Sequence, residues 1–189
     1  MTIEAQVVAD TQAWLDKAVI GLNLCPFAKA VVSKKQVRYA VCLDSDPEQV
    51  LKVLQQEMQW LVDTDAALLD TTLLIAPHLL PDFSAFNEFL FDCDSVLVSM
   101  ELEGVLQIAD FHPRYQFAGT QPDDISNFTN RAPYPTLHLL REESIDKAVA
   151  AFPDASLIYE RNVQVLEALG RDGWEALGLK VSTGIIHNR

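Results

Sequence analysis

Apolar residues along this chain recur at helical spacing and at strand spacing in alternation. Between Ala13 and Leu22, Trp14 lies one turn from Ala18, and Leu15 one turn from Val19, which predicts a helix closed by Gly21 and Asn23. Pro26 suits the first position of a short second helix running through Val31, which would place Cys25 at its N-cap. Val37 to Leu43 is rich in β-formers and predicts a strand. Pro47 opens a helix with Val50, Leu54, Met58 and Leu61 on one face. Thr71 to Ala76, stopped by Pro77, predicts the second strand. Ser84 then caps a helix striped by Phe86, Leu90, Cys93 and Leu97.

Val105 to Phe111 predicts a third strand, ended by His112 and Pro113. From Arg114 to Pro135 no period emerges, and Thr136 to Arg141 resumes as a fourth strand. Ser144 caps a helix through Phe152, and another runs from about Ser156 to Gly170. Strands alternating with helices imply βαβ units. The expected fold is a single α/β domain spanning 1–189, with about four strands in a mixed, partly parallel sheet flanked by helices. Residues 1–35 supply N-terminal helices, 112–135 form a long loop over a site, and 180–189 form a flexible tail.

The composition agrees with a globular domain: 49% of residues are apolar and 22% charged, enough to build a core. No stretch approaches the roughly 18 consecutive apolar residues of a spanning helix. The first ten residues lack the pattern of a signal peptide, so a soluble, cytoplasmic protein is expected. The net charge of −13 changes the picture more, because all of it arises between Asp44 and Asp110. That acidic middle argues against nucleic acid and anionic membrane as partners. The remainder is balanced and leaves Arg114, Arg131 and Arg141 near one another in sequence, suited to a small anion.

Three segments carry candidate chemistry. In Gly21 to Ala28, Cys25 at a helix N-cap would have its thiolate favoured by free N–H groups, with Lys29 one turn on. The alternative is a small residue buried at a helix corner. Cys42, within a strand, and Cys93, on an apolar helix face, read as core. In Phe111 to Gly119, His112 follows a strand end, where open α/β sheets place ligand groups. The loop beyond it carries Asn127, Asn130 and Arg131, and exceeds the roughly 12 residues at which structureless loops become uncommon. In Thr136 to Glu143, His138 points away from Leu137, Leu139 and Arg141. It reads as a hydrogen-bonded structural residue or a ligand contact, and Arg141 as an anion holder or a partner of Glu142.

The chain has no C-x-x-C, P-loop, G-x-S-x-G or G-x-G-x-x-G motif, and no spacing that supports a metal site. Ser144 to Lys147 fits S-x-x-K, but its companion motifs are missing. The cofactor is unknown from the sequence. Three strings, Gly-Leu-Asn-Leu-Cys-Pro-Phe-Ala, Phe-His-Pro-Arg-Tyr-Gln-Phe-Ala-Gly and Asn-Arg-Ala-Pro-Tyr-Pro-Thr-Leu-His-Leu-Leu-Arg-Glu-Glu-Ser, are long enough to be specific. With them the chain resembles, from about Thr11 to Leu177, a bacterial family of uncharacterised proteins, number fourteen-fifteen in the domain-of-unknown-function series. That resemblance implies no activity.

Three functions remain open on residue chemistry. In a small-molecule enzyme, Cys25 would be nucleophile or redox thiol and His112 its base or imidazolium partner. Arg114, Asn127, Asn130, Arg131, His138 and Arg141 would then line an anionic substrate. In a non-catalytic binding module, the same arginines hold an anionic metabolite or nucleotide and Cys25 is structural. In an interaction protein, the acidic helices meet a basic partner.

Overall fold

The computed structural model describes residues 1–151 and 157–180. The expected helix end at Phe152, the helix start at Ser156 and the tail beyond Lys180 lie outside them. The chain begins with α1 (Ile3–Trp14), capped by the Thr2 hydroxyl, which accepts from the Ala5 N–H at 3.2 Å. This helix starts ten residues before the expected position. Its buried face is only Val7, Thr11 and Trp14, too sparse to register as an apolar stripe. It continues without a break into a π-helical stretch, Leu15–Ile20. Gly21 ends that stretch, where a Cβ would lie 2.3 Å from the Lys17 carbonyl oxygen.

Next come α2 (Ala28–Ser33), β1 (Val37–Val41) and α3 (Pro47–Asp63), with Pro47 in the first turn and the Asp46 carboxylate as N-cap. The strand β2 (Thr71–Ile75) leads to α4 (Phe83–Ser99), capped by Asp82, two residues earlier than the expected Ser84. After β3 (Leu106–Phe111), the long loop holds one 3₁₀ helix, Ile125–Asn130. β4 (Thr136–Arg141) runs directly into α5 (Glu142–Ala151), so Ser144 lies inside the helix and its hydroxyl donates to Asp70. The last described helix is α6 (Ile158–Ala176), interrupted at Gly170, where φ is +64°.

The sheet order is β1-β2-β4-β3. β1 and β2 are parallel, and β4 is antiparallel to both its neighbours, which makes the sheet mixed and partly parallel as expected. One face carries Ala40, Cys42, Leu74, Leu106, Leu137 and Leu139 beneath the apolar stripes of α3 and α4. Its helical complement is Val50, Leu54, Met58 and Leu61 with Phe86, Phe89, Cys93 and Leu97. The opposite face, with Tyr39, Leu73 and Ile75, is covered by α1 through Val7. Beside it Trp14, Leu15, Ala18 and Val19 join Leu166 and Trp174 of α6 in a separate cluster. No described helix is long and apolar enough to cross a membrane.

Candidate functional site

Strand parity sorts the candidate residues before any contact is considered. Register places Tyr39, Leu73, His138 and Ala109 in one row across the α1 face. One and three residues beyond Ala109, Asp110 and His112 belong to the α3/α4 face.

His112 is 1% exposed and wedged against Phe83 and Phe86, with ring centroids 5.4 and 5.0 Å away. Its Nε2–H donates to the Leu80 carbonyl at 3.1 Å, and its Nδ1 accepts the Arg114 N–H at 3.0 Å. Burial lowers its pKa to about 4, which keeps the ring neutral, and the two hydrogen bonds fix the tautomer. With both nitrogens engaged by backbone, His112 has no lone pair to offer a thiol. Cys25 lies elsewhere, packed against the Trp14–Leu166 cluster on the opposite side of the sheet. The structure does not bring Cys25 and His112 together.

Cys25 also sits differently from its expected place. The N-cap of α2 is Phe27, so the thiol lies two residues ahead of the cap. Its N–H donates to the Val19 carbonyl at 3.4 Å, and its carbonyl accepts the Ala28 N–H at 3.3 Å. The side chain is half-buried, whereas Cys42 and Cys93 are buried and burial raises both their thiol pKa values.

The polar loop residues are engaged locally. Asn127 is fully buried; its Oδ1 accepts the Phe117 N–H and the Thr120 hydroxyl, and its Nδ2 donates to the Gln121 carbonyl. Asn130 ties the loop to β3, its backbone carbonyl accepting the His112 N–H. Arg131 donates to the Tyr115 and Pro122 carbonyls and lies over Phe128, 4.4 Å from its centroid. Burial lowers its pKa, and so does Arg171, whose guanidinium lies 5.7 Å from the same ring. Arg114 is exposed.

Arg141 is remote from these residues, at the other end of β4. Its guanidinium caps the end of α3 and the loop beyond, donating to the carbonyls of Leu61, Thr64 and Leu69. The three arginines therefore do not converge on one pocket. A groove of about 590 Å³ between the 3₁₀ helix and α6 is lined by Asp124, Glu160 and Glu167, which disfavours an anion there.

Of the two histidines among the candidate site residues, His138 is the one with unused hydrogen-bonding capacity. Its Nε2 lies 2.7 Å from the Thr71 hydroxyl, which donates its hydrogen to the Leu139 carbonyl at 2.5 Å. The imidazole must then donate through Nε2–H, leaving Nδ1 as a lone pair with no partner among the described residues. The residue is half-buried, and burial of its ring lowers the pKa to about 4. Phe111, 6.1 Å from the His138 ring, packs against the same cluster as Cys25 and Tyr39. The α1 face thus holds a half-buried thiol, a phenol and a neutral imidazole.

Two groups escaped the sequence reading. Thr71 fixes His138: alternation puts Thr71 on the face of Leu73, and the pairing of Leu73 with His138 makes that the His138 face. Asp110, at the end of β3, buries an Oδ2 with no hydrogen-bond partner, and burial raises its pKa. Among the described residues no group of His, Cys, Asp and Glu is placed to hold a metal ion.

No curated protein and no solved structure matches this chain significantly. A family model described as "Protein of unknown function (DUF1415)" matches residues 6–176, nearly the whole chain and all three diagnostic strings, and the chain belongs to that family.

Proposed function

We propose that the protein is a small-molecule enzyme whose site lies on the α1 face of the sheet, with Cys25 as its thiol and His138 as its base. The observation that carries this reading is the unshared Nδ1 of His138, on a ring oriented by Thr71 and held neutral by burial. An imidazole that stays neutral above about pH 5 keeps its Nδ1 lone pair free throughout the physiological range, and a pKa this far below 7 makes it a weak base, which acts by accepting a hydrogen bond from the thiol rather than by holding its proton. Cys25 is the half-exposed thiol of the three and belongs to the same layer. Tyr39 and Phe111 supply apolar walls.

Alkylation by iodoacetamide, followed by peptide mass spectrometry on the native protein, tests the assignment. Cys25 is expected to react far faster than Cys42 and Cys93. His138→Gln is expected to slow Cys25 roughly tenfold at pH 7, the low end of what a positioned base supplies. Cys25 remaining inert until the protein unfolds, or reacting equally fast in both proteins, would overturn the pairing.

A further inference from the structure

β1 stands at the edge of the sheet, and its backbone bonds can be followed one by one. The Cys42 N–H donates to the Ile75 carbonyl, and the Gln36 carbonyl accepts from Thr71, so even-numbered residues face β2. Val37, Tyr39 and Val41 therefore turn both N–H and C=O outward, and no described group pairs with them. Edges this bare are normally blunted by proline, an unpaired charge or a covering segment. Here residues 36–43 contain no proline, and the one charge, Arg38, is neutralised by Glu57 in a 2.6 Å ion pair. β3, the other edge, is partly covered, because Asn130 and Leu102 take some of its outward groups.

The flanks of the β1 edge are charged with opposite signs. Lys34 and Lys35 precede the strand and Asp44, Ser45 and Asp46 follow it, all exposed. Two large apolar side chains border it as well. Trp60, 55% exposed, lies 4.9 Å from the Arg38 guanidinium. Leu68, 73% exposed, sits in the turn that Gln36 holds through the Ala66 and Ala67 carbonyls.

We infer that β1 pairs antiparallel with β1 of a second copy of this chain, about a two-fold axis at Tyr39, joining two four-stranded sheets into one. In that register Tyr39 faces its own copy and Val37 faces Val41 of the second copy, so every outward group finds a partner. That pairing brings the exposed Lys34–Lys35 flank of one copy towards the Asp44–Asp46 flank of the second, and symmetry repeats the contact at the other end. A parallel arrangement would set lysines against lysines. The charge pattern selects the antiparallel one, and Trp60 and Leu68 gain cover in it. The inference is independent of the Cys25 and His138 chemistry.

Sedimentation velocity up to about 100 µM, a range in which standard interfaces associate, reads the oligomeric state. A species of twice the 21.1 kDa chain mass is expected. Lys34→Glu is expected to weaken it roughly tenfold at low salt, and Lys34→Glu combined with Asp44→Lys to restore it. Amide hydrogen exchange at Val37, Tyr39 and Val41 is expected to slow as concentration rises. A monomer throughout the range overturns the inference. So does a dimer whose three outward amides stay as exchangeable as in dilute protein. A dimer indifferent to Lys34→Glu overturns the antiparallel register.

Discussion

The Thr71 hydroxyl sits between the His138 Nε2–H and the Leu139 carbonyl, accepting from one at 2.7 Å and donating to the other at 2.5 Å. Thr71→Val keeps the shape and removes the bridge, leaving an imidazole N–H unpaired. A loss of about 1–3 kcal/mol in urea unfolding is expected, the usual cost of an orphaned buried donor. Nitrogen-15 spectra should show His138 as the Nε2–H tautomer in the wild type and as a mixture in the variant. Unchanged spectra and stability would mean that something other than Thr71 holds the ring.

His112 and His138 give the fold a defined acid limit. Both have folded-state pKa values lowered to about 4, by burial in each case, against about 6.5 in an unfolded chain. Above pH 6.5 both states are neutral at these sites, and neither histidine makes stability depend on pH. Between about 6.5 and 4 the unfolded chain binds protons that the native state refuses, so stability falls as pH falls. The slope is about 1.4 kcal/mol per pH unit for each histidine. Asp110 acts in the opposite sense, because its raised pKa favours the native state once the carboxyl is protonated. Urea midpoints measured from pH 7.5 to 4.5 should decline below pH 6.5, and His138→Gln should flatten the decline by close to half. A flat profile would mean that the two rings are not held neutral.

Arg141 is a brace for the end of α3. Its guanidinium satisfies the carbonyls of Leu61, Thr64 and Leu69, which a helix end would otherwise leave to water. Arg141→Lys keeps the charge but not the planar fork, and should cost about 2 kcal/mol. An anion-holding role predicts the contrary, a variant of normal stability that fails only in ligand binding. Thermal unfolding of the purified variant separates the two.

Much of the fold was legible because its signals are local. Pro47 after Asp46 starts α3, and Val50, Leu54, Met58 and Leu61 are its buried stripe. The start of α1 was hidden because its inward positions are sparse and one of them is Thr11, whose hydroxyl is satisfied by the Val7 carbonyl. The insertion of β4 between β2 and β3 is a tertiary choice that no periodicity encodes. The site was harder still. Sequence position favoured His112, on a loop after a strand, over His138, inside an apolar strand. Their hydrogen bonds reverse that order: the partners of His112 are the backbone groups of Leu80 and Arg114, which no residue pattern announces.

Asn127 organises the loop that closes over the end of β3. It is fully buried, and its amide joins Phe117, Thr120 and Gln121, which brings both limbs of residues 112–135 onto one side chain. The aromatic contacts of Tyr115 with Phe83 and of Phe117 with Tyr159 depend on that arrangement, since they anchor the loop to α4 on one side and α6 on the other. Asn127→Ala leaves the Phe117 N–H and the Gln121 carbonyl without their partner, at a cost of about 2–4 kcal/mol if the loop stays closed. The loop is expected to open instead, at a smaller global cost, because exposed backbone can turn to water. Limited proteolysis distinguishes the outcomes: cleavage between Arg114 and Asp124 should accelerate in Asn127→Ala while the sheet core stays intact. Asn127→Asp sets a buried carboxylate oxygen against the Gln121 carbonyl, so it should leave the loop at least as susceptible as Asn127→Ala does. A loop equally resistant in all three proteins would place its anchor in the aromatic contacts alone.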